Sequence, residues 1–384
     1  MKIFFATRAR GFFKHLFSCK EIEADIVYNK SEIYEINNWF HAFASKCVRS
    51  ELGDWLGIVQ TIKCRETGCD IHGSFNRFLD SDKPYFVYVE NPTALYHYCL
   101  GRNKTLLGRK AVTRNLANHN LKALVFMSKA CANTFETVCG NISPECIKSQ
   151  IYPLIPRNKY VSEEQIRAKR DRQVVKMLYI AQGVRFLSKG AQEVLEAYKR
   201  LEGEGVPCTL TMVTNISQIG PILLNEIRQI NGVTLHDFKF TYDEMEQLYA
   251  DHDILLQPTS DDSSPLTILE ALHAGLAIVA SRLYAIPEVV NDGVNGFLTN
   301  PAYWFFDRNN IPNSDVWNHR EDTIYSGKRS EDVTKEVHTC IKRLIKDRNL
   351  LENMALASYR MSQQPPFSHD YIVGQWNSLL ETIK

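Results

Sequence analysis

The stretch from residue 254 to residue 296 constrains the fold of this chain more than any other part of the sequence. It opens on the apolar run Ile254–Leu256, which is typical of a buried strand, and after a polar segment it becomes almost wholly apolar. This second apolar part predicts a helix that ends at Gly275, because glycine is the usual residue after a helix. The signals for the start of that helix are Ser263 or Ser264 as the cap and Pro265 at the first helical position.

Four polar residues fall on one face of the predicted helix, because Ser263, Thr267, Glu270 and His273 are four, three and three positions apart. A carboxylate is costly to bury in so apolar a helix unless it has a partner. Glu270 is therefore expected to face a partner cation or a ligand with hydroxyl groups. Asp262 precedes the helix, whose N-terminus attracts phosphate. The pattern favours a sugar–phosphate ligand; the alternative is a structural glutamate paired with an arginine.

A second motif follows the predicted strand that begins at Val174. A loop containing Gly183, Arg185, Lys189 and Gly190 leads into an amphipathic helix. Cations placed just before a helix can bind a diphosphate together with the free N–H groups of that helix. The motif therefore predicts a diphosphate site at Lys189 and Arg185. The alternative is that both cations are solvated at the surface.

The first motif resembles the signature of retaining glycosyltransferase family 4, which reads E-G-x-P-x-x-x-x-E-A and then P-E-x-V-x-x-G-x-x-G. In "SPLTILEALHAG" and "IPEVVNDGVNG" the proline, the second acid and the glycines fall at the expected offsets. The resemblance implies that Glu270 binds the ribose of a nucleotide-sugar donor. It also implies that Asp262, an aspartate where the family usually has glutamate, contacts the donor sugar.

The second motif resembles the family pattern G-R-x-x-x-x-K-G, whose cations bind the leaving diphosphate. Lys189 and Gly190 are in register, whereas Val184 takes the arginine position and Arg185 comes one residue later. The resemblance implies that Asp262, Glu270, Lys189 and Arg185 are the catalytic residues, with no metal and no cofactor besides the donor substrate. The residues implied to bind the donor are Gly183, Thr214, Asn215, Phe238, Ser263, Ser264, Pro265, Leu266 and Thr267.

The fold implied is α/β and of the GT-B type, with two Rossmann-like domains facing a central cleft. We expect an acceptor-binding domain at residues 1–156, a charged linker at 157–173 and a nucleotide-sugar domain at 174–366. Residues 367–384 are expected to form a helix that crosses back to the first domain. The reaction implied is transfer of a sugar, with retained configuration, from a nucleotide-diphosphate sugar to a glycan or lipid-linked acceptor.

Candidates for the acceptor side come from the first half of the chain. Arg10 and Gly11 follow a first predicted strand, His72 and then Glu90 with Asn91 lie at later ones, and a helix is predicted between residues 31 and 56. Ligands of open α/β sheets bind at the carboxyl ends of strands, which is why these positions are chosen. If the acceptor hydroxyl needs a base, Glu90 is preferred to His72. For Arg10 the alternative is a solvated arginine, and for His72, Glu90 and Asn91 it is a structural role.

A cationic region extends from Arg102 to Lys129, because residues 91–135 contain no acidic residue and seven lysines and arginines. Such a region suits an anionic membrane surface or a lipid-linked pyrophosphate acceptor. The alternative is a solvated helical face.

Overall composition limits the classes of ligand and the cellular location that can be expected. The chain has 384 residues and a formal net charge of +1, so no global excess of charge indicates nucleic acid. The ten cysteines are scattered without a Cys-x-x-Cys pair, and no apolar run is long enough to span a bilayer. With no signal peptide recognised, we expect a cytoplasmic protein, either free or peripheral at the inner face of a membrane.

Three alternatives to a glycosyltransferase are considered. The first is a non-catalytic sugar-nucleotide-binding protein on the same fold, suggested by Asp262 and by the displaced arginine. The second is a dinucleotide oxidoreductase, but the fingerprint G-x-G-x-x-G is absent from the predicted strand–loop–helix units. The third is a phosphorylase, for which no lysine-anchored cofactor signal is present. The aromatic segment 303–329 gives no signal beyond a packed loop insertion.

Overall fold

The computed structural model describes residues 1–29, 43, 46–140, 143–264 and 266–384. Its strands are β1 (Lys2–Phe5), β2 (Asp25–Tyr28), β3 (Ile62–Cys64), β4 (Ile71–Phe75), β5 (Leu79–Ser81), β6 (Tyr85–Val89), β7 (Leu121–Phe126), β8 (Ile147–Gln150), β9 (Val175–Ile180), β10 (Cys208–Thr214), β11 (Val233–Asp237), β12 (Ile254–Gln257), β13 (Ala277–Ser281) and β14 (Gly296–Thr299). Its α-helices are α1 (Gly11–Ser18), α2 (Glu51–Trp55), α3 (Leu106–Leu116), α4 (Lys129–Val138), α5 (Glu163–Ala168), α6 (Ala191–Gly203), α7 (Pro221–Gln229), α8 (Tyr242–Asp251), α9 (Leu266–His273), α10 (Ile286–Val289), α11 (Ser314–Trp317), α12 (Glu331–Lys346), α13 (Arg348–Ser362) and α14 (His369–Thr382).

The chain forms two compact units. Unit 1 comprises Met1–Leu154, Asn309–Ile311 and His369–Lys384, and unit 2 comprises Ile155–Arg308 and Pro312–Ser368. Each unit contains a six-stranded parallel sheet, and β3 pairs with β5 in a small additional sheet. The predicted α/β class with two Rossmann-like domains is confirmed.

Unit 1 is built on strands in the order β2-β1-β4-β6-β7-β8. Its central strand β6 reads YFVYV and is buried at every position, as expected for a parallel strand covered on both faces. The last helix of the chain, α14, belongs to this unit. The Trp376 ring of α14 packs 5.7 Å from the ring of Phe86 and 5.7 Å from that of Tyr88, measured between centroids.

Unit 2 has the strand order β11-β10-β9-β12-β13-β14. Its first strand in sequence, β9, lies at the centre, and the chain builds outward first to one side and then to the other. The order therefore reverses between β9 and β12. Ligands of such sheets bind in the crevice beyond the carboxyl ends of the strands at this reversal. The loops after β9 and β12 are the two motifs found in the sequence.

The stretch predicted as an exposed linker, residues 157–173, is instead folded into unit 2. Ile166 of α5 is buried, and Arg167 forms an ion pair with Glu352 of α13 at 2.8 Å. The charged residues that indicated a hinge are the solvent-facing side of a short helix. Ile166, the apolar residue between them, packs this helix onto unit 2.

Two further sequence predictions concern the rest of the chain. The helix expected between residues 31 and 56 lies outside the described residues, apart from residue 43 and residues 46–56. Among the helices of the described part of the chain, none combines the length and the apolar character that crossing a bilayer requires.

Candidate functional site

The loops after β9 and β12 are locked together in unit 2. Gly190 lies between β9 and α6 with φ +85°, and a Cβ there would collide with the carbonyl oxygen of Pro258 after β12. Glycine is required because it tolerates both the left-handed backbone and the close approach. The Ser260 N–H also donates to the carbonyl oxygen of Ser188 at 2.9 Å. The two motifs therefore form one structure at the reversal of the sheet.

A nearly buried ion pair joins these loops. The Lys189 ammonium contacts the Asp262 carboxylate, and the two side chains are 12% and 9% exposed. Removing either partner would leave an uncompensated charge in a poorly solvated position, which costs several kcal/mol by order of magnitude. The lysine and the first acid of the sequence motifs are thus in direct contact.

Asp261, next to this pair, was not singled out from the sequence. Its side chain is 7% exposed and lies 3.8 Å from Nε of Arg185, measured from Oδ2. The hydroxyls of Ser188 and Tyr325 each donate to the same carboxylate at 3.3 Å. The two consecutive acids thus each face one cation of the β9–α6 loop. The one-residue displacement of Arg185 still leaves its side chain at this site.

Tyr325 comes from the aromatic segment 303–329, to which the sequence assigned no function. The Tyr303 N–H donates to Oγ of Ser260 at 3.0 Å, so the segment contacts the β12 loop at a second point. Internally it is held by stacked rings, with Phe305 and Trp317 4.3 Å apart between centroids. No sequence spacing indicated this contact, because Tyr325 and Asp261 are 64 residues apart.

Glu270 lies in the middle of α9, four residues after Leu266, where the helix begins. Its Oε2 accepts a hydrogen bond from the Tyr249 hydroxyl of α8 at 2.6 Å. Burial raises the pKa of the Glu270 carboxyl, and the tyrosine hydrogen bond offsets part of that rise. The partner seen in the structure is a hydroxyl, and it does not neutralise the carboxylate. His273, predicted on the same face, is buried.

The predicted donor-binding residues from β10 and β11 lie at the same edge of the sheet. Oδ1 of Asn215 accepts a hydrogen bond from the Gly183 N–H at 3.2 Å, which joins the end of β10 to the β9 loop. The Phe238 N–H donates to the carbonyl oxygen of Thr214 at 3.0 Å, and the Phe238 ring is 42% exposed. An exposed aromatic ring beside a strand terminus offers a surface on which a base can stack.

Three buried oxygens at this edge have no hydrogen-bond partner among the described residues. They are Oγ1 of Thr214, Oε1 of Gln257 and Oγ of Ser281, each on the last residue of its strand. A buried polar group without a partner costs about 1–3 kcal/mol. Gln257 and Ser281 are therefore further candidates for polar contacts that the sequence did not indicate.

The start of α9 supplies the remaining donor-binding candidates. Ser263, Ser264, Leu266 and Thr267 are all partly exposed there, and Pro265 lies outside the described residues. The free N–H groups of the first turn carry the positive end of the helix dipole. Lys189 lies against the loop that precedes this turn, through its contact with Asp262.

In unit 1, the structure brings together Arg10 and Glu90. Arg10 precedes α1, whose first residue is Gly11, and its guanidinium lies 3.2 Å from the Glu90 carboxylate that follows β6. The Tyr98 hydroxyl donates to the other oxygen of Glu90 at 3.2 Å. Because a guanidinium and a hydroxyl both contact its carboxylate, Glu90 holds the side chains of Arg10 and Tyr98 in place.

Two other acceptor-side candidates have structural roles. His72 is the second residue of β4, so the prediction that it lies at the end of a strand is wrong. It is completely buried, with Nδ1 2.7 Å from Oγ of Ser81 and Nε2 3.0 Å from the carbonyl oxygen of Glu66. Asn91 is also buried, and its Oδ1 caps a short turn by accepting the Thr93 N–H at 2.9 Å.

The cationic region needs one correction. Arg102 is fully buried, forms an ion pair with Asp54 at 2.9 Å and donates to the carbonyl oxygens of Val48 and Ile58. It anchors the packing of α2 against the start of α3 and contributes nothing to a surface. The exposed cations of this region are Lys104, Arg109, Lys110, Arg114 and Lys129.

Parts of the chain are similar in sequence to known proteins. Residues 175–304 match the sequence model of the family described as glycosyl transferases group 1. Over 63 residues the chain is 39% identical to the sulfoquinovosyl transferase SQD2 of Arabidopsis thaliana. That match covers 16% of this chain and 12% of the relative, so the chain spans a small part of the relative's length.

Solved structures match over the whole chain. HepE of Anabaena in complex with UDP has a TM-score of 0.64 at 15% identity, with 100% of both chains covered. WaaG, a glycosyltransferase involved in lipopolysaccharide biosynthesis, has a TM-score of 0.60 at 14% identity and covers 99% of each chain. These likenesses show the GT-B fold. The family match, over residues 175–304, lies within unit 2.

The partly buried carboxyl of Glu270 should lower stability in a pH-dependent way. Its pKa is raised in the folded state, so the cost of burying its charge is present above that pKa and is relieved as the pH falls through it. Glu270→Gln keeps an acceptor for Tyr249 and removes the charge. We expect the variant to melt about 2–4 °C higher at pH 8, with the difference shrinking toward pH 5. Calorimetry at several pH values checks this, and a pH-independent difference would contradict it.

The hydroxyl of Tyr325 should stabilise the loop that carries Asp261. Tyr325→Phe removes a donor to a nearly buried carboxylate, and we expect unfolding in urea to become easier by roughly 1–2 kcal/mol. Tyr303→Phe is the matched control, because Tyr303 contacts this loop through its backbone N–H. Equal stability of Tyr325→Phe and wild type would show that the aromatic segment does not support the loop.

Proposed function

We propose that the protein is a glycosyltransferase that moves a sugar from a nucleotide-diphosphate donor to a hydroxyl of a glycan or lipid-linked acceptor, with retained configuration. The observation that carries the proposal is the Lys189–Asp262 pair at the reversal of the unit 2 sheet, beside the N-terminus of α9. A cation and free N–H groups at one point suit a diphosphate. The HepE structures, which hold UDP and UDP-glucose, support a donor of this class.

The ion pair has a direct role in donor binding. In the free protein, Asp262 neutralises Lys189 within a nearly buried contact. A diphosphate carries more negative charge than one carboxylate and competes for the lysine. Lys189 then binds phosphate, and the released Asp262 carboxylate is free to accept hydrogen bonds from sugar hydroxyls. Donor binding thus replaces the Asp262 carboxylate with a phosphate as the partner of Lys189, and no buried charge is left unpaired.

Bond changes at the sugar then follow. The acceptor oxygen forms a bond to C1 on the face from which the diphosphate leaves, the bond from C1 to the diphosphate oxygen breaks, and the acceptor proton passes to the leaving diphosphate. Lys189, Arg185 and the first turn of α9 stabilise the charge that develops on the diphosphate, so no divalent metal is needed. Asp261 positions Arg185, from which it lies 3.8 Å.

Glu270 is proposed to bind the ribose. An ionised carboxylate accepts hydrogen bonds from two vicinal hydroxyls, and Tyr249 orients it through the 2.6 Å hydrogen bond. This role gives a reason for holding an acid whose pKa burial raises, since the ligand supplies the polar partners that the protein interior lacks. Thr214, Asn215, Gly183 and Phe238 are proposed to contact the nucleoside.

A transfer assay tests the proposal. Radiolabelled UDP-glucose is tried first, then GDP-, ADP- and CDP-sugars, each with lipid-linked and glycan acceptors and with EDTA. We expect Lys189→Ala and Glu270→Gln each to lower kcat/KM by about 100-fold or more, through lost stabilisation of the diphosphate and the ribose. Lys199→Ala, which breaks an exposed ion pair with Glu226, is the control and should leave transfer unchanged.

The same assay distinguishes an enzyme from a non-catalytic nucleotide-sugar-binding protein. That alternative is favoured by the neutralisation of both loop cations by Asp261 and Asp262. Tight binding of a nucleotide sugar without turnover on any acceptor would support it and overturn the enzyme. Near-normal transfer by Lys189→Ala would instead show that the site lies elsewhere.

We propose that the protein is peripheral at an anionic membrane and that unit 1 provides the contact. Five large apolar side chains are exposed where α2 meets the first turn of α3, and we call them the apolar patch: Leu52, Trp55, Leu56, Leu106 and Leu107. The two elements are adjacent because the Thr105 hydroxyl donates to the carbonyl oxygen of Asp54 at 2.8 Å.

Charge complementarity favours a lipid surface as the partner of the apolar patch. Lys110 and Arg114 are exposed on the same side of α3 as Leu106, with Lys104 and Arg109 beside them and one exposed acid, Glu51, on α2. Apolar side chains that enter the interface, surrounded by cations at the level of the phosphates, are typical of peripheral binding. Each cation near an anionic surface contributes about 1 kcal/mol.

Sedimentation with lipid vesicles tests this surface. We expect binding to vesicles containing phosphatidylglycerol and little binding to pure phosphatidylcholine. Lys110→Ser with Arg114→Ser should weaken binding roughly 30-fold, which corresponds to ~2 kcal/mol. Trp55→Ser with Leu106→Ser should also weaken it, whereas Ile222→Ser, an equally exposed residue of unit 2, should not. No binding to anionic vesicles, or a dimer that the Trp55 and Leu106 changes dissociate, would contradict the proposal.

A further inference from the structure

A second cluster of reactive side chains lies in unit 1, far along the sequence from the residues of the donor site. Cys19 follows α1 and His369 is the first residue of α14, so 350 residues separate two groups whose Sγ and Nε2 atoms are 3.8 Å apart. Oε2 of Glu21 lies 2.9 Å from the same sulfur and 3.7 Å from the same nitrogen. A thiol, an imidazole and a carboxylate therefore present one atom each to a common point.

The spacing of these atoms suits a tetrahedral cation. Zinc binds sulfur at about 2.3 Å and nitrogen or oxygen at about 2.0–2.2 Å, so ligand atoms around it lie roughly 3.3–3.6 Å apart. The two distances to Nε2 of His369 exceed this range slightly and would shorten by about 0.2–0.3 Å, whereas the Cys19–Glu21 distance of 2.9 Å would lengthen by about 0.7 Å. Thiolate with imidazole is a ligand set that favours zinc over magnesium or calcium.

The backbone around the cluster is already fixed. The Asn377 side chain of α14 accepts the Glu23 N–H at 3.0 Å and donates to the carbonyl oxygen of Glu21 at 2.8 Å. These reciprocal hydrogen bonds hold the turn after α1 against α14. A site whose ligands are held in place loses little conformational entropy when it binds an ion.

His369 also has an orienting partner. Its Nδ1 lies 3.3 Å from the Asp370 carboxylate. A carboxylate at this position favours the tautomer that carries the proton on Nδ1 and leaves the Nε2 lone pair for a metal. A carboxylate behind the imidazole is the usual outer-shell arrangement of zinc-bound histidine. The cluster thus has three ligands and one supporting acid.

We propose that Cys19, Glu21 and His369 bind one Zn²⁺ ion, with water as the fourth ligand, and that the ion fastens α14 to the turn after α1. The site is structural and separate from the proposed transfer reaction, which uses the residues of unit 2. Binding replaces the thiol proton with the metal, and this proton leaves to solvent. The metal binds the thiolate in competition with the proton, so zinc affinity should fall as the pH is lowered.

Cobalt spectroscopy and zinc competition test the site on the full chain. We expect one Co²⁺ per chain with a thiolate-to-cobalt charge-transfer band, displaced by Zn²⁺. Cys19→Ser should abolish the band, and His369→Gln should weaken Zn²⁺ binding by at least about 100-fold in competition with a chromophoric chelator. Asp370→Asn, which removes the supporting carboxylate, should weaken it about 10-fold. Cys340→Ser, a partly exposed thiol in unit 2, is the control and should change nothing.

Thermal melting gives an independent readout. Zinc at 100 times its Kd should stabilise the wild type by about 2.7 kcal/mol and should leave Cys19→Ser unchanged. A thiolate band of equal strength in Cys19→Ser, or no band in the wild type, would overturn the proposal. Failure of the zinc site would leave the transfer assay unaffected, so the two proposals are tested separately.

Discussion

The contact between Lys189 and Asp262 is the interaction on which the account of this protein depends. It lies where the strand order of unit 2 reverses, and it joins the two loops that the sheet brings together there. Both groups are nearly buried, so the pair is stable only while each charge is compensated. The same requirement makes the pair responsive to a ligand, because a diphosphate can replace the carboxylate as the partner of the lysine. In the proposed function, structural support and ligand recognition therefore come from one interaction.

Around the pair, some groups are held rigidly, while some polar groups lack hydrogen-bond or ion-pair partners among the described residues. Gly190 locks the loops together, and Asp261 is held by Arg185, Ser188 and Tyr325. Glu270, in contrast, has a hydroxyl partner and, among the described residues, no cation as a partner. Nearby strand ends carry buried oxygens without partners in the same part of the chain. Functional sites commonly keep such costs because a ligand offsets them when it binds. The arrangement explains why a chain would retain an acid on an otherwise apolar helix.

Sequence reasoning was accurate where the information is local. Strand runs and the spacing of residues within the two motifs depend on residues close in sequence, so the α/β fold and the two loops could be predicted. It was less accurate where packing between segments distant in sequence determines the role of a side chain. His72 and Arg102 look like functional groups in sequence, yet the structure buries both with full sets of partners. The contact of Tyr325 with Asp261 had no local signal, because it joins distant segments.

A crystal structure of the protein with UDP bound tests the role of the Lys189–Asp262 pair most directly. We predict that the diphosphate contacts Nζ of Lys189 and the N–H groups at the start of α9, that Asp262 has released the lysine, and that the ribose hydroxyls donate to Glu270. Nucleotide bound elsewhere, or bound with the Lys189–Asp262 contact intact and the ribose away from Glu270, would contradict the assignment of this site.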